Sequence, residues 1–164
     1  MVVRYSKILL TAAVAFFAAL VAFGNITDYG TNFAFVQHVL SMDSIFPDSS
    51  IRYRAITSSL LQHGAYAVII STEAAVACLC GYGAWALYRH RHQSAAAFNR
   101  SKCVAVAGLT LGVLLWFVGF MAVGGEWFGM WMSQQWNGVP SAFRFVVVTA
   151  LVLIYVAQRD GELA

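Results

Sequence analysis

Four long apolar runs constrain this chain more than any other feature of its sequence. They cover residues 8–24, 64–88, 103–123 and 142–157, and polar stretches separate them. A helix needs about 20 apolar residues to cross a hydrocarbon core of about 30 Å, so each run is close to the length of a membrane span. The sequence therefore predicts an all-α integral membrane protein, folded as a four-helix antiparallel bundle.

The charge content excludes an ordinary soluble domain. Charged residues make up 10% of the chain and hydrophobic residues 60%, whereas soluble domains carry about 25% charged residues. So few charges cannot cover the surface of a water-soluble fold of this length. We expect residues 1–164 to form a single membrane domain.

The first and last runs differ from ordinary spans in small ways. Arg4 and Lys7 precede the first run, as in a signal peptide, but the run is near the long end for such a segment. We therefore expect it to remain as the first helix. The run 142–157 is short, near the lower limit of about 17 residues.

Lysine and arginine are distributed unevenly between the polar segments. If both termini face the cytoplasm, the cytoplasmic side carries Arg4, Lys7, Arg89, Arg91, Arg100, Lys102 and Arg159. The opposite side carries only Arg52, Arg54 and Arg144. Because cytoplasmic loops carry the excess of basic residues, we predict an N-in/C-in orientation. The exoplasmic loops are then 24–62 and 124–141, and the cytosolic loop is 89–102.

The first exoplasmic loop is long enough to contain structure of its own. Apolar residues recur at helical spacing over 32–40, which predicts a short helix at the membrane interface. Pro47 ends it, and Asp48 to Ser50 offer helix caps for a second short segment carrying Arg52 and Arg54. Long loops in small proteins are usually functional or bind a partner.

Glu73 is the most informative single residue, because it is an acid near the middle of an apolar run. Gln62 and Tyr66 share its helix face, together with small residues. An acid in the membrane is costly and should face protein or water. We predict a buried polar site at Glu73, Tyr66 and Gln62, which is either a structural hydrogen-bonded acid or a proton, cation or quinone site.

The exoplasmic loops are rich in aromatic and charged residues, and Glu126 is placed to meet Arg144, Arg52 or Arg54. Two interpretations stay open for the tryptophans: an aromatic belt packed as a lid, or a docking surface or lipid or quinone pocket. The residues predicted to take part in interactions there are Asp28, His38, His63, Arg52, Arg54, Glu126, Trp127, Trp131, Trp136 and Arg144.

The third run has a smooth face made by Gly108, Gly112 and Gly119, which predicts close packing against another helix. The cysteines are expected to be free thiols in apolar helices, and their spacing is not that of a zinc site. Neither a metal site nor a haem site is predicted, because His38 and His63 fall in a loop and near a span end. No nucleotide-binding or hydrolase motif is present, so we predict no catalytic residues and no catalytic activity.

Three stretches of the chain resemble a known family. They run from Ile26 to Pro47, from Arg54 to Ala74 and from Ala107 to Gly138, and they are similar to the DUF2165 family of small bacterial integral membrane proteins. The resemblance implies a multi-pass protein of the bacterial cytoplasmic (inner) membrane. Since the family has no assigned function, the resemblance implies no site residues.

Three hypotheses for function follow. The first is a small accessory or structural subunit of a larger inner-membrane complex, possibly respiratory in kind, that docks through its exoplasmic loops onto other membrane-protein subunits. The alternatives are a quinone- or haem-associated redox subunit and a small homo-oligomeric channel that uses Glu73. Membrane lipids are expected partners and nucleic acid is not. No cofactor is predicted, although a bound lipid or quinone is left open.

Overall fold

The computed structural model describes residues 1–162, and it confirms an all-helical chain with no β-strand among those residues. Four helical stretches are long and apolar enough to cross a membrane: Val2–Thr27, Ser59–His90, Ala95–Trp127 and Val139–Ala157. The α-helices are α1 (Val2–Thr27), α2 (Tyr29–Ser41), α3 (Ser59–His90), α4 (Ala95–Ser101), α5 (Cys103–Leu114) and α6 (Val139–Ala157).

The segments between the long helices contain short helices. Helix α2 covers the segment 32–40 that was expected to be helical, and a 3-10 helix at Ser50–Arg54 carries the two arginines of that loop. A second 3-10 helix spans Met130–Met132. The backbone N–H of Ile56 donates to the carbonyl of Leu40 at 2.8 Å and ties the connecting segment to α2.

The third long stretch is not a uniform α-helix. After α5 it continues as a π-helix from Leu115 to Trp127, and the N–H of Phe128 donates to the carbonyl of Val123, five residues earlier, at 3.0 Å. π-Helices are rare and occur mostly as single turns within α-helices, where they are frequent at functional sites. Apolar periodicity did not reveal this segment, because residues 115–123 include no polar or charged side chain that would mark one face.

Small residues bring α3 and α5 together. A Cβ atom added to Gly108 would lie 2.8 Å from the backbone nitrogen of Cys80, so only glycine fits this approach. Gly112 lies against Thr149 of α6 and Val76 of α3. Gly119 lies outside these contacts, since a Cβ there would meet only a Leu115 methyl carbon at 3.7 Å.

The bundle has two ends of different character. The terminal end is where the start of α1 meets the tail 158–162. The loop end holds α2, the segment 42–58 and the segment 128–138, which cover a cluster of buried apolar residues. Met42 and Met130 are among the most buried side chains of that cluster. The loop segments thus pack on the bundle as part of its core.

Candidate ligand site

Glu73 is held inside the bundle by a residue of another helix. It is 1% exposed, and its Oε2 atom accepts a hydrogen bond from Asn25 Nδ2 of α1 at 2.7 Å. Its Oε1 atom has no hydrogen-bond partner within residues 1–162, and the residue lines a cavity. An acid in apolar surroundings needs such a partner, and the free oxygen remains available to a ligand.

Tyr66 completes this polar group and Gln62 does not. The Tyr66 hydroxyl donates to the backbone carbonyl of Asn25 at 3.1 Å, which orders the end of α1 next to Glu73. Gln62 Nε2 instead donates to Ser41 Oγ at 2.9 Å and to the carbonyl of Ile56 at 2.8 Å. Glu73 and Tyr66 therefore both contact Asn25, whereas Gln62, on the same face of α3, contacts the loop segments.

Sequence reasoning missed Asn25. It falls in the segment 24–62 that was predicted to be an exoplasmic loop, but α1 continues to Thr27. Asn25 is therefore part of α1, and its side chain contacts Glu73 inside the bundle. The sequence does show a carboxamide at the end of an apolar run. It does not show that this carboxamide faces Glu73, which is 48 positions away.

Glu73 lines a cavity of about 310 Å³ between α1, α2, α3, the π-helix and α6, which we call the polar cavity because five polar side chains line it among apolar ones. Its polar lining comes from a carboxyl, three carboxamides and a hydroxyl: Glu73, Asn25, Asn32, Asn137 and Ser141. Asn32 Nδ2 donates to the carbonyl of Asp28 at 3.0 Å, and Asn137 Oδ1 accepts from the N–H of Val139 at 3.1 Å. Asn32 Nδ2 also donates to the carbonyl of Gly24 at 3.4 Å, so both of its N–H groups are used. Asn137 Nδ2 donates to the carbonyl of Trp131 at 3.5 Å, and Asn25 Nδ2 donates to Glu73, so each of these two carboxamides keeps one unused N–H group.

An apolar groove of about 290 Å³ adjoins the polar cavity. Its lining includes Val39, Ile69 and Val123, with almost no polar surface. The two spaces share a wall made by Phe35, Val36 and Phe120. A polar compartment beside an apolar one is the arrangement that suits an amphiphilic molecule.

The π-helix contributes to both compartments. Trp116 and Phe120 line the polar cavity, and Gly119, Phe120 and Gly124 line the apolar groove. Trp116 is 2% exposed and packs against Phe17 and Phe145 at centroid distances of 5.7 and 5.5 Å. The irregular helix therefore forms the wall of the candidate site.

Comparison with known proteins decides the family. A family model described as "Predicted small integral membrane protein (DUF2165)" matches residues 3–159, which is nearly the whole chain. The chain belongs to the DUF2165 family. No curated protein and no solved structure matches it. The family description confirms an integral membrane protein and names no activity.

The two histidines at the loop end of this DUF2165 protein lie in separate environments. His63 Nδ1 is 2.8 Å from the Tyr29 hydroxyl, and its ring stacks on Phe33 at a centroid distance of 3.9 Å. His38 Nδ1 pairs with Asp43 Oδ2 at 2.7 Å. Within residues 1–162, no three His, Cys, Asp or Glu side chains are grouped so that they could hold a metal ion.

The charged residues predicted to interact at the loop end form few contacts with one another. Arg54 Nη1 donates to the backbone carbonyl of Trp127 at 3.1 Å, and the Arg54 guanidinium lies over the indole ring of Trp127. Arg52 donates to the carbonyl of Ile45 at 3.3 Å. Glu126 and Arg144 are exposed, and neither forms an ion pair within the described part of the chain.

The remaining predicted residues are placed as follows. Asp28 is exposed at the junction of α1 and α2, where its carbonyl accepts from the N–H of Asn32. Trp136 stacks on His38 at a centroid distance of 4.4 Å, and Trp131 packs edge-on against Phe46 at 5.9 Å. None of these side chains lines the polar cavity.

The terminal end of this DUF2165 protein contains a buried cluster of charged side chains. In the sequence, its basic residues were used only to predict the orientation of the chain in the membrane. Lys7 Nζ donates to Asp160 Oδ2 at 2.7 Å, and Lys102 Nζ donates to the same oxygen. Burial alone would raise the pKa of Asp160, but the two ammonium groups outweigh it and hold that pKa below its ordinary value. The carboxylate therefore stays ionised between its two partners.

Proposed function

We propose that this protein is a small membrane subunit that binds a quinone between α1, α2, α3, the π-helix and α6. The supporting observation is the polar cavity at Glu73, which shares a wall with an apolar groove. A quinone is an amphiphile of this shape, with a compact head that carries two carbonyl oxygens and a long apolar tail. No catalytic residue is proposed, and redox chemistry would belong to the quinone and a partner.

The head-group chemistry fits the lining. Quinone carbonyls accept hydrogen bonds, and the cavity offers the Ser141 hydroxyl and the unused N–H groups of Asn25 and Asn137. The free Oε1 atom of Glu73 would accept the O–H of the reduced quinol, whereas a protonated Glu73 would donate to the quinone. One residue would therefore serve both forms of the ligand.

The tail would occupy the groove next to Phe120. The lining there is almost entirely apolar, and burial of such surface contributes about 25 cal/mol per Å². The shared wall of Phe35, Val36 and Phe120 would then contact the ligand where head and tail join.

The test is direct binding of a quinone carrying a decyl tail to the protein purified in mild detergent, followed by tryptophan fluorescence. Trp116 lines the cavity, so a bound quinone is expected to quench it. Glu73→Gln should weaken binding several-fold and Val123→Trp should block it by filling the groove. Ser71→Ala, on the exposed side of α3, is the matched control. Equal binding by all four proteins, or none by the wild type, would contradict the proposal.

We also propose that the protein works as an accessory subunit of a larger complex in the bacterial cytoplasmic membrane, with both termini in the cytoplasm. The exposed aromatic side chains at the loop end include Phe46, Tyr53, Trp127 and Trp131. These would contact a second membrane-protein subunit. Native mass spectrometry after gentle extraction tests this role, and a stable, partner-free monomer would refute it. Burial of Glu73 inside one chain does not favour a pore lined by that residue.

A further inference from the structure

A second cavity lies at the terminal end, far from the proposed quinone site. It has a volume of about 700 Å³ and lies between the α4–α5 junction and the end of α6. Its lining combines basic, polar and apolar residues, among them Asn99, Arg100, Lys102, Val106, Ala157 and Arg159. Nothing in the proposed function uses this space.

Two guanidinium groups of this cavity have no acidic partner. Arg100 and Arg159 are exposed, and neither forms an ion pair with any residue in 1–162. In the described part of the tail, both acidic side chains have other partners: Asp160 pairs with two lysines, and Glu162 accepts from the N–H of Ala95 at 3.0 Å. Arginine pairs favourably with phosphate because its planar fork matches the phosphate oxygens.

The buried side chains behind the cavity carry surplus positive charge. Arg4, Lys7 and Lys102 are 2%, 1% and 4% exposed, and within residues 1–162 one carboxylate, that of Asp160, pairs with the two lysines. Among residues 1–162, the acceptors of Arg4 are all backbone carbonyls, those of Arg91, Gln93 and Gly161. Burying unmatched charge is unfavourable, so an anion in the adjoining cavity would stabilise the cluster.

We infer that this cavity holds the phosphate group of an anionic phospholipid, bound by Arg100 and Arg159. The apolar part of the lining, Val106 and Ala157, belongs to helices that span the membrane. It would contact the glycerol and the first carbons of the acyl chains. Basic pockets between spanning helices bind anionic head groups in this manner.

The experiment measures the melting temperature of the detergent-purified protein with added phosphatidylglycerol, with added phosphatidylcholine and with inorganic phosphate. We expect a rise with phosphatidylglycerol alone, and retention of that lipid in native mass spectra. A rise with inorganic phosphate that phosphatidylglycerol does not exceed would assign a free anion to the site and overturn the lipid proposal. Equal shifts with both lipids would overturn it as well.

The variants localise the effect. The double substitution Arg100→Gln with Arg159→Gln should abolish the phosphatidylglycerol shift and the retained lipid, and both side chains are exposed, so the fold should persist. Arg89→Gln is the matched control, because Arg89 is exposed and stacks on Trp85 outside the cavity. If the double variant keeps the full shift, or if Arg89→Gln loses as much of it, the site is not the one proposed.

Discussion

The side chains of Lys7 and Asp160 lie 2.7 Å apart although 153 positions separate them in the chain. The same carboxylate accepts from Lys102, and the Lys7 ammonium also donates to the carbonyl of Gln158 at 2.7 Å. One acidic side chain in the tail therefore links the start of α1 to the junction of α4 and α5. The tail 158–162 is an integral part of the bundle end.

Removing this carboxylate should destabilise the protein strongly. Asp160→Asn keeps the shape and one acceptor oxygen but leaves two buried ammonium groups without a counter-charge. We expect a loss of about 3–5 kcal/mol in the free energy of unfolding, measured by denaturant titration in detergent. Glu162→Gln is the control, since Glu162 is exposed and should change stability little. A wild-type unfolding midpoint for Asp160→Asn would contradict the assignment.

Acid should remove the same contribution in the wild type. The pKa of Asp160 in the folded protein is below its ordinary value of 3.8, so its stabilisation is complete above about that pH. It is lost as the pH falls through the lower, folded pKa. The stability difference between wild type and Asp160→Asn should thus be constant near neutral pH and shrink below about pH 4. A difference that shrinks at pH 6 would point to another group.

The pair of Asn25 and Glu73 should show coupling in a double-mutant cycle. Glu73→Leu leaves the Asn25 amide without its acceptor, which costs about 1–3 kcal/mol for a buried group. Asn25→Leu leaves the carboxyl without its donor. The double variant should be more stable than the sum of the single losses predicts. Strict additivity of the unfolding free energies would mean that the 2.7 Å hydrogen bond contributes nothing.

Two glycines of the long helices should respond in opposite directions to the same substitution. Gly108→Ala forces a methyl group against the backbone of Cys80 and should cost about 1–3 kcal/mol. Gly64→Ala, with nothing within 4 Å of the new atom, should stabilise by about 0.5–1 kcal/mol through helix propensity. Thermal unfolding in detergent measures both. A neutral Gly108→Ala would show that α3 and α5 lie farther apart.

The proposed orientation predicts which loops a membrane-impermeant thiol reagent reaches. With the three native cysteines replaced by alanine, Ser94→Cys should be protected in intact cells and Gln134→Cys should be labelled. Both positions are exposed, so accessibility of the side chain itself is matched. The reverse pattern of labelling would place the termini outside.

Much of the fold was predictable because hydropathy is a local property. Each of the four runs must form a helix wherever it lies in a membrane, since its backbone has no other hydrogen-bond partners there. The buried position of Glu73 followed from the same argument, because an acid in such a run has to face away from lipid. Tyr66 was predicted to lie beside Glu73 because the helical repeat places both residues on one face of the helix.

The sequence alone thus determined that the protein is helical, that it is an integral membrane protein with four candidate spans, and that the second long helix carries a buried acid. The tertiary structure decided which groups meet: Asn25 with Glu73, Asp160 with Lys7, and a polar cavity with an apolar groove along the π-helix. These contacts join helices that are distant in the chain, and they depend on packing distances and helix ends. Local patterns of apolar residues carry no information about either.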